Sequence, residues 1–326
     1  MVITTKSYSV TTWIAPLAAS LIALTIGRIF PLVSALLWAL VIGAIVVNTP
    51  LRDHTLLKNH RGATKLLLRV GVVMLGLRLP LQDIIELGPR GLVVICATVL
   101  VTYTATCVIG DRLGVERGLV TLIASGFSIC GASAIAAVET GIRRRDEDVA
   151  LAIAMVTLFG SVMIVVLPIT ANLLGLTDQQ TGVWAGASIH EVAQVVAAAT
   201  TAGAAAVAIA TTIKLGRVAL LAFAYMAARR RDGEPSKSGG STPLIPWFVV
   251  GFVIAAAIRT ADFLPGDVLD TADIATTLLL AAAMFGLGLG MHVRTLFPVP
   301  MRVFGLAASS TVVAASISLG LTLALF

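Results

Sequence analysis

A chain of 326 residues that is 58% hydrophobic and only 12% charged, with a mean hydropathy of +0.99, carries too few charges to cover a soluble globule of that length. Its formal net charge of +6 falls largely in short loops between apolar runs, where membrane topology accounts for it, so nucleic acid is set aside as a partner. The composition is that of a polytopic membrane protein.

Roughly 20 consecutive apolar residues span a bilayer, and that length predicts helices over 11–29, 32–48, 64–80, 91–110, 148–171, 204–228, 244–260, 273–292 and 303–326. The first, containing WIAPLAASLIALTI, has no basic leader or small-residue cleavage site and reads as an uncleaved helix. Two further stretches, 118–140 and 182–202, are long enough to cross but are interrupted by Gly, Ser and charged residues. The predicted fold is all-α: about 9 to 11 transmembrane segments in a single integral membrane domain covering residues 1–326, with two broken or re-entrant segments.

The chain also repeats itself. MLGLRL (Met74–Leu79) matches MFGLGL (Met284–Leu289), and each precedes a short loop with an arginine (Arg90, Arg302) and then an apolar helix. The helices before them pair as well, through Gly43 and Thr49 in one and Gly251 and Thr260 in the other. Ser128-Ile129 resembles Ser188-Ile189, and AIAMVTLFGSV from Ala152 aligns with AIATTIKLGRV from Ala208. These matches divide the chain into halves 1–175 and 176–326, the second carrying its pieces in rotated order.

Cytoplasmic loops carry the Lys and Arg excess of a membrane protein. RDHTLLKNHRGATK (52–65) and the loop at 229–242 are the most basic, whereas RTADFLPGDVLDTAD (259–273) is acidic and reads as external. If every segment crossed, RRRDED (143–148) would lie outside and the segments at 118 and 182 would run parallel. Letting 118–140 enter and leave from the cytoplasm and 182–202 from outside removes both conflicts and makes every repeated pair inverted. The N-terminus is then cytoplasmic and the C-terminus external. Helices that cross while broken midway predict the same central site. Irregular backbone is tolerated at membrane depth only where it is buried in protein or lines a wet cavity, which is where inverted-repeat transporters place their substrate.

In the first broken segment Gly126 and Gly131 permit a turn, and the SICG tip can aim N–H groups of a half-helix start at an anion. Ser128 and Ser133 add hydroxyls and Cys130 a weak donor; the competing reading is that these small residues only let helices approach closely. Glu139 lies beside the RRR run, where a salt-bridged role competes with a functional one. In the second segment His190, Glu191 and Gln194 fall within one and a half turns, with Ser188 just before them. Intramembrane ionisable groups mark a pathway, a coupling site or an internal pair, and a histidine suits proton coupling. Lys214 and Arg217, three residues apart in the helix over 204–228, need anionic compensation, from a substrate or from Glu191 or Glu139. Arg69, Arg78, His292 and Arg294 lie nearer helix ends, where snorkelling explains them. Cys96, Cys107 and Cys130 have no metal-ligand spacing and no disulfide pattern. Walker A, dinucleotide, HExxH and GxSxG motifs are absent, and GLGLG (286–290) lies inside a predicted membrane helix.

SICGASA followed about 60 residues later by HEVAQVV resembles the YeiH family, bacterial inner-membrane proteins named as sulfate exporters. The resemblance covers nearly the whole chain, including LGLRL, the PWF start at Pro246 and the LGL before His292. The segment order is also similar to that of bile-acid/sodium symporters and cation/proton antiporters, whose crossed, broken helices form the transport site. The acidic sodium ligands of those families are not evident here.

These readings converge on a secondary transporter of a small anion, with sulfate implied by the resemblance, and not an enzyme. The expected anion-binding residues are Ser128, Cys130, Gly131, Ser133, Ser188, Gln194, Lys214 and Arg217, with His190 and Glu191 coupling transport to protons. No cofactor or metal is implied. The expected partners are the anion and the lipid bilayer, and a homodimer is left open. A sodium- or proton-coupled organic-acid carrier, a channel, and a membrane-embedded thiol-redox protein using Cys130 are the alternatives.

Overall fold

The computed structural model describes residues 11–30, 35–54, 57, 60–79, 81–232, 247–289 and 299–326. Among them the chain is all-helical, with no strand. The helices are α1 (Thr11–Ile29), α2 (Ala35–Val47), α3 (His60–Leu75), α4 (Leu81–Glu86), α5 (Gly88–Arg112), α6 (Arg117–Ser128), α7 (Ala132–Glu139), α8 (Asp146–Leu173), α9 (Asp178–Ser188), α10 (Val192–Ala199), α11 (Ala204–Ala219), α12 (Leu221–Asp232), α13 (Trp247–Thr260), α14 (Gly266–Gly288) and α15 (Met301–Leu325).

Four of these, α5, α8, α14 and α15, are long and apolar enough by themselves to cross a membrane. The predicted continuous helix over 204–228 is instead divided at Leu220 into α11 and α12, which bend by 41° and make a fifth span if taken together. Arg217 therefore stands in the last turn of α11 and not in the middle of a long helix. The apolar runs predicted over 11–29, 32–48 and 244–260 form shorter apolar helices. The predicted loop 229–242 is described only to Asp232, and His292 and Arg294 lie outside the described residues.

The long helices are polar inward and apolar outward. Along α5, Thr98, Thr102 and Thr106 are buried while Leu100 and Val108 are exposed; along α15, Ser310, Ser318 and Thr322 are buried while Phe304, Val312 and Leu323 are exposed. Thr106 donates to Ser310 Oγ at 2.9 Å where the two helices pack. When lipid replaces water outside, burying a leucine gains little, and small or hydroxylated residues that allow close approach take the inner faces.

The helices pack as two groups. In one, α2 lies on α14, α13 on α3, and α3 on α14; in the other, α5 packs on α15, α6 on α8, and α9 on α11. Glycine sets the closest approaches in the first group. A Cβ on Gly288 would collide with the Leu40 carbonyl of α2, and one on Gly76 with the Phe252 carbonyl of α13. Arg78 donates to the Thr277 hydroxyl at 2.5 Å and pairs with Asp273, tying the end of the α3 segment to α14. The Arg69 guanidinium lies 5.9 Å from the centre of the Phe248 ring of α13.

Gly288→Val should therefore force α2 and α14 apart and destabilise the protein by about 1–3 kcal/mol or more, whereas Gly305→Ala on α15, with nothing within 4 Å of the added carbon, should be neutral or slightly stabilising. Thermal unfolding of the two purified variants beside the parent checks the contrast.

Candidate functional site

Both interrupted segments are broken helices. The first ends α6 at Ser128; Ile129 follows with φ −109° and ψ −94°, and Gly131, at φ +70° and ψ −132°, starts α7. Only glycine takes that conformation cheaply, and a Cβ there would also come within 2.6 Å of Glu191 Cγ. The second break contains no glycine. After α9, Ile189 and Glu191 are extended (φ −72°, ψ 151° and φ −115°, ψ 148°), and α10 begins at Val192. The Glu191 N–H donates to Gln194 Oε1 at 3.3 Å, so the side chain of α10's first turn reaches back to its start.

The breaks meet at α11. Lys214 and Arg217 are fully buried, and both spend their donors on the carbonyls that α6 and α9 leave unpaired at their C-terminal ends. Lys214 Nζ donates to Ile129 O at 2.6 Å and to Ile189 O at 2.9 Å. Arg217 reaches Phe127 O (2.8 Å) and Ser128 O (3.0 Å) on the first segment, and Gly186 O (3.3 Å), Ala187 O (2.8 Å) and Ile189 O (2.9 Å) on the second. The negative poles of two helix dipoles thus face two cations. Glu191, also buried, acts on Lys214 through space and lies against Gly131 at the start of α7.

His190 is fully buried in the second break. Its ring lies 4.4 Å from that of Phe127, and Nε2 is 3.3 Å from the Thr311 hydroxyl of α15. That hydroxyl also lies within hydrogen-bond distance of Ala307 O, at 3.0 Å, in its own helix. Gln194 Nε2 donates to Thr157 O at 3.2 Å and Ser161 Oγ at 3.4 Å on α8, and Gly160 is the residue whose missing side chain makes room for it.

The structure brings Cys130, Gly131, His190, Glu191, Lys214 and Arg217 together around the two breaks. Ser128 and Ser188 are also there and buried, but their hydroxyls donate within their own helices, to Ala124 O and Trp184 O, each at 2.6 Å. Ser133 donates to Cys130 O at 3.2 Å and lies 3.1 Å from its sulfur. Glu139 is away from this cluster, buried and paired with Arg144, which also holds Asp146. Burial by itself would lower the Arg144 guanidinium, yet Glu139 and Asp146 hold it above its ordinary value. Phe127 and Thr311 were not among the expected site residues. Thr311 lies 121 residues from His190 on an otherwise ordinary apolar helix, and nothing local in the sequence marks it.

Two helices broken at a common centre, with buried ionisable groups at the breaks, in a chain of several apolar spans, define a multi-pass membrane protein with an internal polar site. The family described as conserved hypothetical protein 698 matches residues 9–307. The chain is 41% identical to a UPF0324 membrane protein of Corynebacterium glutamicum over 94% of its own length and 89% of the relative's. It is 37% identical to one of Pseudomonas aeruginosa, covering 85% and 82%, and 34% identical to one of Brucella melitensis, covering 88% and 81%. The chain belongs to this family, the UPF0324 or YeiH membrane proteins that its two motifs resemble. No solved structure matches it.

Arg217→Lys keeps the charge but offers three donors in place of five to five carbonyls. It should lower stability by about 1–3 kcal/mol for each buried carbonyl left unpaired, read as a lower midpoint of thermal unfolding in detergent.

Proposed function

We propose that the protein is a secondary transporter of a small anion, sulfate being the first candidate, and that the anion passes through the centre where the two broken helices meet. One observation carries this reading: two cations are fully buried at the breaks and spend their hydrogen bonds on backbone carbonyls. Positive charge at that depth is costly, and a site that must replace the hydration of an anion is a place where the cost serves a purpose. Cys130, Gly131 and Ser133 at the start of α7, and Gln194 at the start of α10, supply small residues and donors beside that charge. His190 and Glu191 couple movement to protons by changing protonation as access alternates. The cycle uses a gradient and no enzymatic step.

The proposed architecture has about 9 to 11 membrane segments in two inverted halves. The packing supports it: exchanging α2 with α13, α3 with α14, α5 with α15, α6 with α9 and α8 with α11 turns the contact of α2 on α14 into that of α13 on α3, and α6 on α8 into α9 on α11. The basic loops favour a bacterial inner membrane placement with the N-terminus in the cytoplasm and the C-terminus outside.

In proteoliposomes, labelled sulfate should enter by saturable counterflow against unlabelled sulfate, accelerated by an imposed proton gradient, with no such uptake in empty vesicles. Counterflow by organic acids with indifference to sulfate would move the assignment to an organic-acid carrier. Conductance without saturation would refute a carrier. Cys130→Ser should reduce flux only partly; complete loss would favour thiol chemistry.

A further inference from the structure

Lys214 and Arg217 reach both broken helices from one helix. A single ammonium joins Ile129 O to Ile189 O, and a single guanidinium joins Phe127 and Ser128 to Gly186, Ala187 and Ile189. Separating the breaks would strand buried carbonyls on one side or buried donors on the other, with no water to replace them. The opposite half has no equivalent. In the internal alignment the positions matching Lys214 and Arg217 are Leu158 and Ser161 of α8, and the hydrogen bonds from the second segment to α8 are the neutral ones of Gln194 with Thr157 and Ser161. The two halves are therefore unequal here.

We infer that Lys214 and Arg217 are positioning residues that fasten the two broken helices and α11 into one unit, so that both breaks move together and the transported anion is met by other groups. This goes beyond the transport reading and stands on hydrogen bonds that exist without any substrate. It also answers whether the buried cations contact the anion or serve an internal partner: the partner is the carbonyl ends of both helices, and the anion feels their charge without binding to them.

Hydrogen exchange of the purified full-length protein tests the fastening. In Lys214→Met, amides of both 125–135 and 185–195 should exchange faster by about tenfold or more, with α14 and α15 unchanged. Lys214→Arg, which restores charge and donors, should return both segments toward the parent. Arg217→Lys should loosen both segments to a smaller extent, so the test survives if Lys214→Met fails to fold. Faster exchange at only one break, or equal acceleration through α14 and α15, would overturn the inference. In sulfate counterflow, Lys214→Met should lower the maximal rate and leave half-saturation within about twofold. A half-saturation raised about tenfold at an unchanged rate would instead show direct anion contact and overturn it. If the parent protein moves no sulfate, the transport reading fails, and the exchange measurement still decides the fastening.

Discussion

A helix that stops inside a membrane leaves its last carbonyls without partners, and no water is there to take them. This chain stops two helices in its buried interior, α6 at Ser128 and α9 at Ser188, where the same need arises, and answers both with the same two side chains. The rest of the arrangement depends on that solution. Because Lys214 and Arg217 occupy the carbonyl ends, the breaks can persist without a continuing helix, and the starts of α7 and α10 are left as the electropositive side of the gap. Glu191, also buried, lies against Gly131 at the first of these starts.

The choice of an arginine and a lysine follows from the geometry of the acceptors. Arg217 faces five carbonyls spread over two helices, which suits a planar guanidinium with donors in several directions. Lys214 faces two carbonyls that converge on a point between the breaks, and a compact ammonium fits there. The bend at Leu220 completes the design. Ending α11 at Ala219 places Arg217 in its last turn, where it reaches both segments.

Much of this was legible in the sequence. The two interrupted segments stood out because glycine, serine and ionisable residues are costly inside an apolar run, and the same argument singled out Lys214 and Arg217. What the cations bind was not legible. Sequence reasoning looks for a side chain of opposite charge, whereas the partners here are main-chain oxygens, which every residue carries and no residue type advertises. Where the hydroxyls of Ser128 and Ser188 point was not legible for a related reason: a serine in a helix can satisfy its hydroxyl on the carbonyl four residues back, so its presence near a gap says little about where its proton points. The single helix expected over 204–228 is divided because hydropathy measures length and apolarity but is blind to a bend at Leu220, where no proline or glycine stands.

Thr311 shows how the remaining information is spread through the fold. His190 needs a partner for at least one ring nitrogen once it is fully buried, and α15 provides it because that helix packs along α9 with its hydroxylated face inward. That inward face follows from having lipid as solvent: outward positions gain from leucine, valine and phenylalanine, so serine and threonine collect on the buried side. A polar lining for the centre thus arises without any dedicated motif. The centre is specified in two ways, by a few costly residues that any reader of the sequence can find, and by ordinary hydroxyls that join it only when the helices are assembled around them.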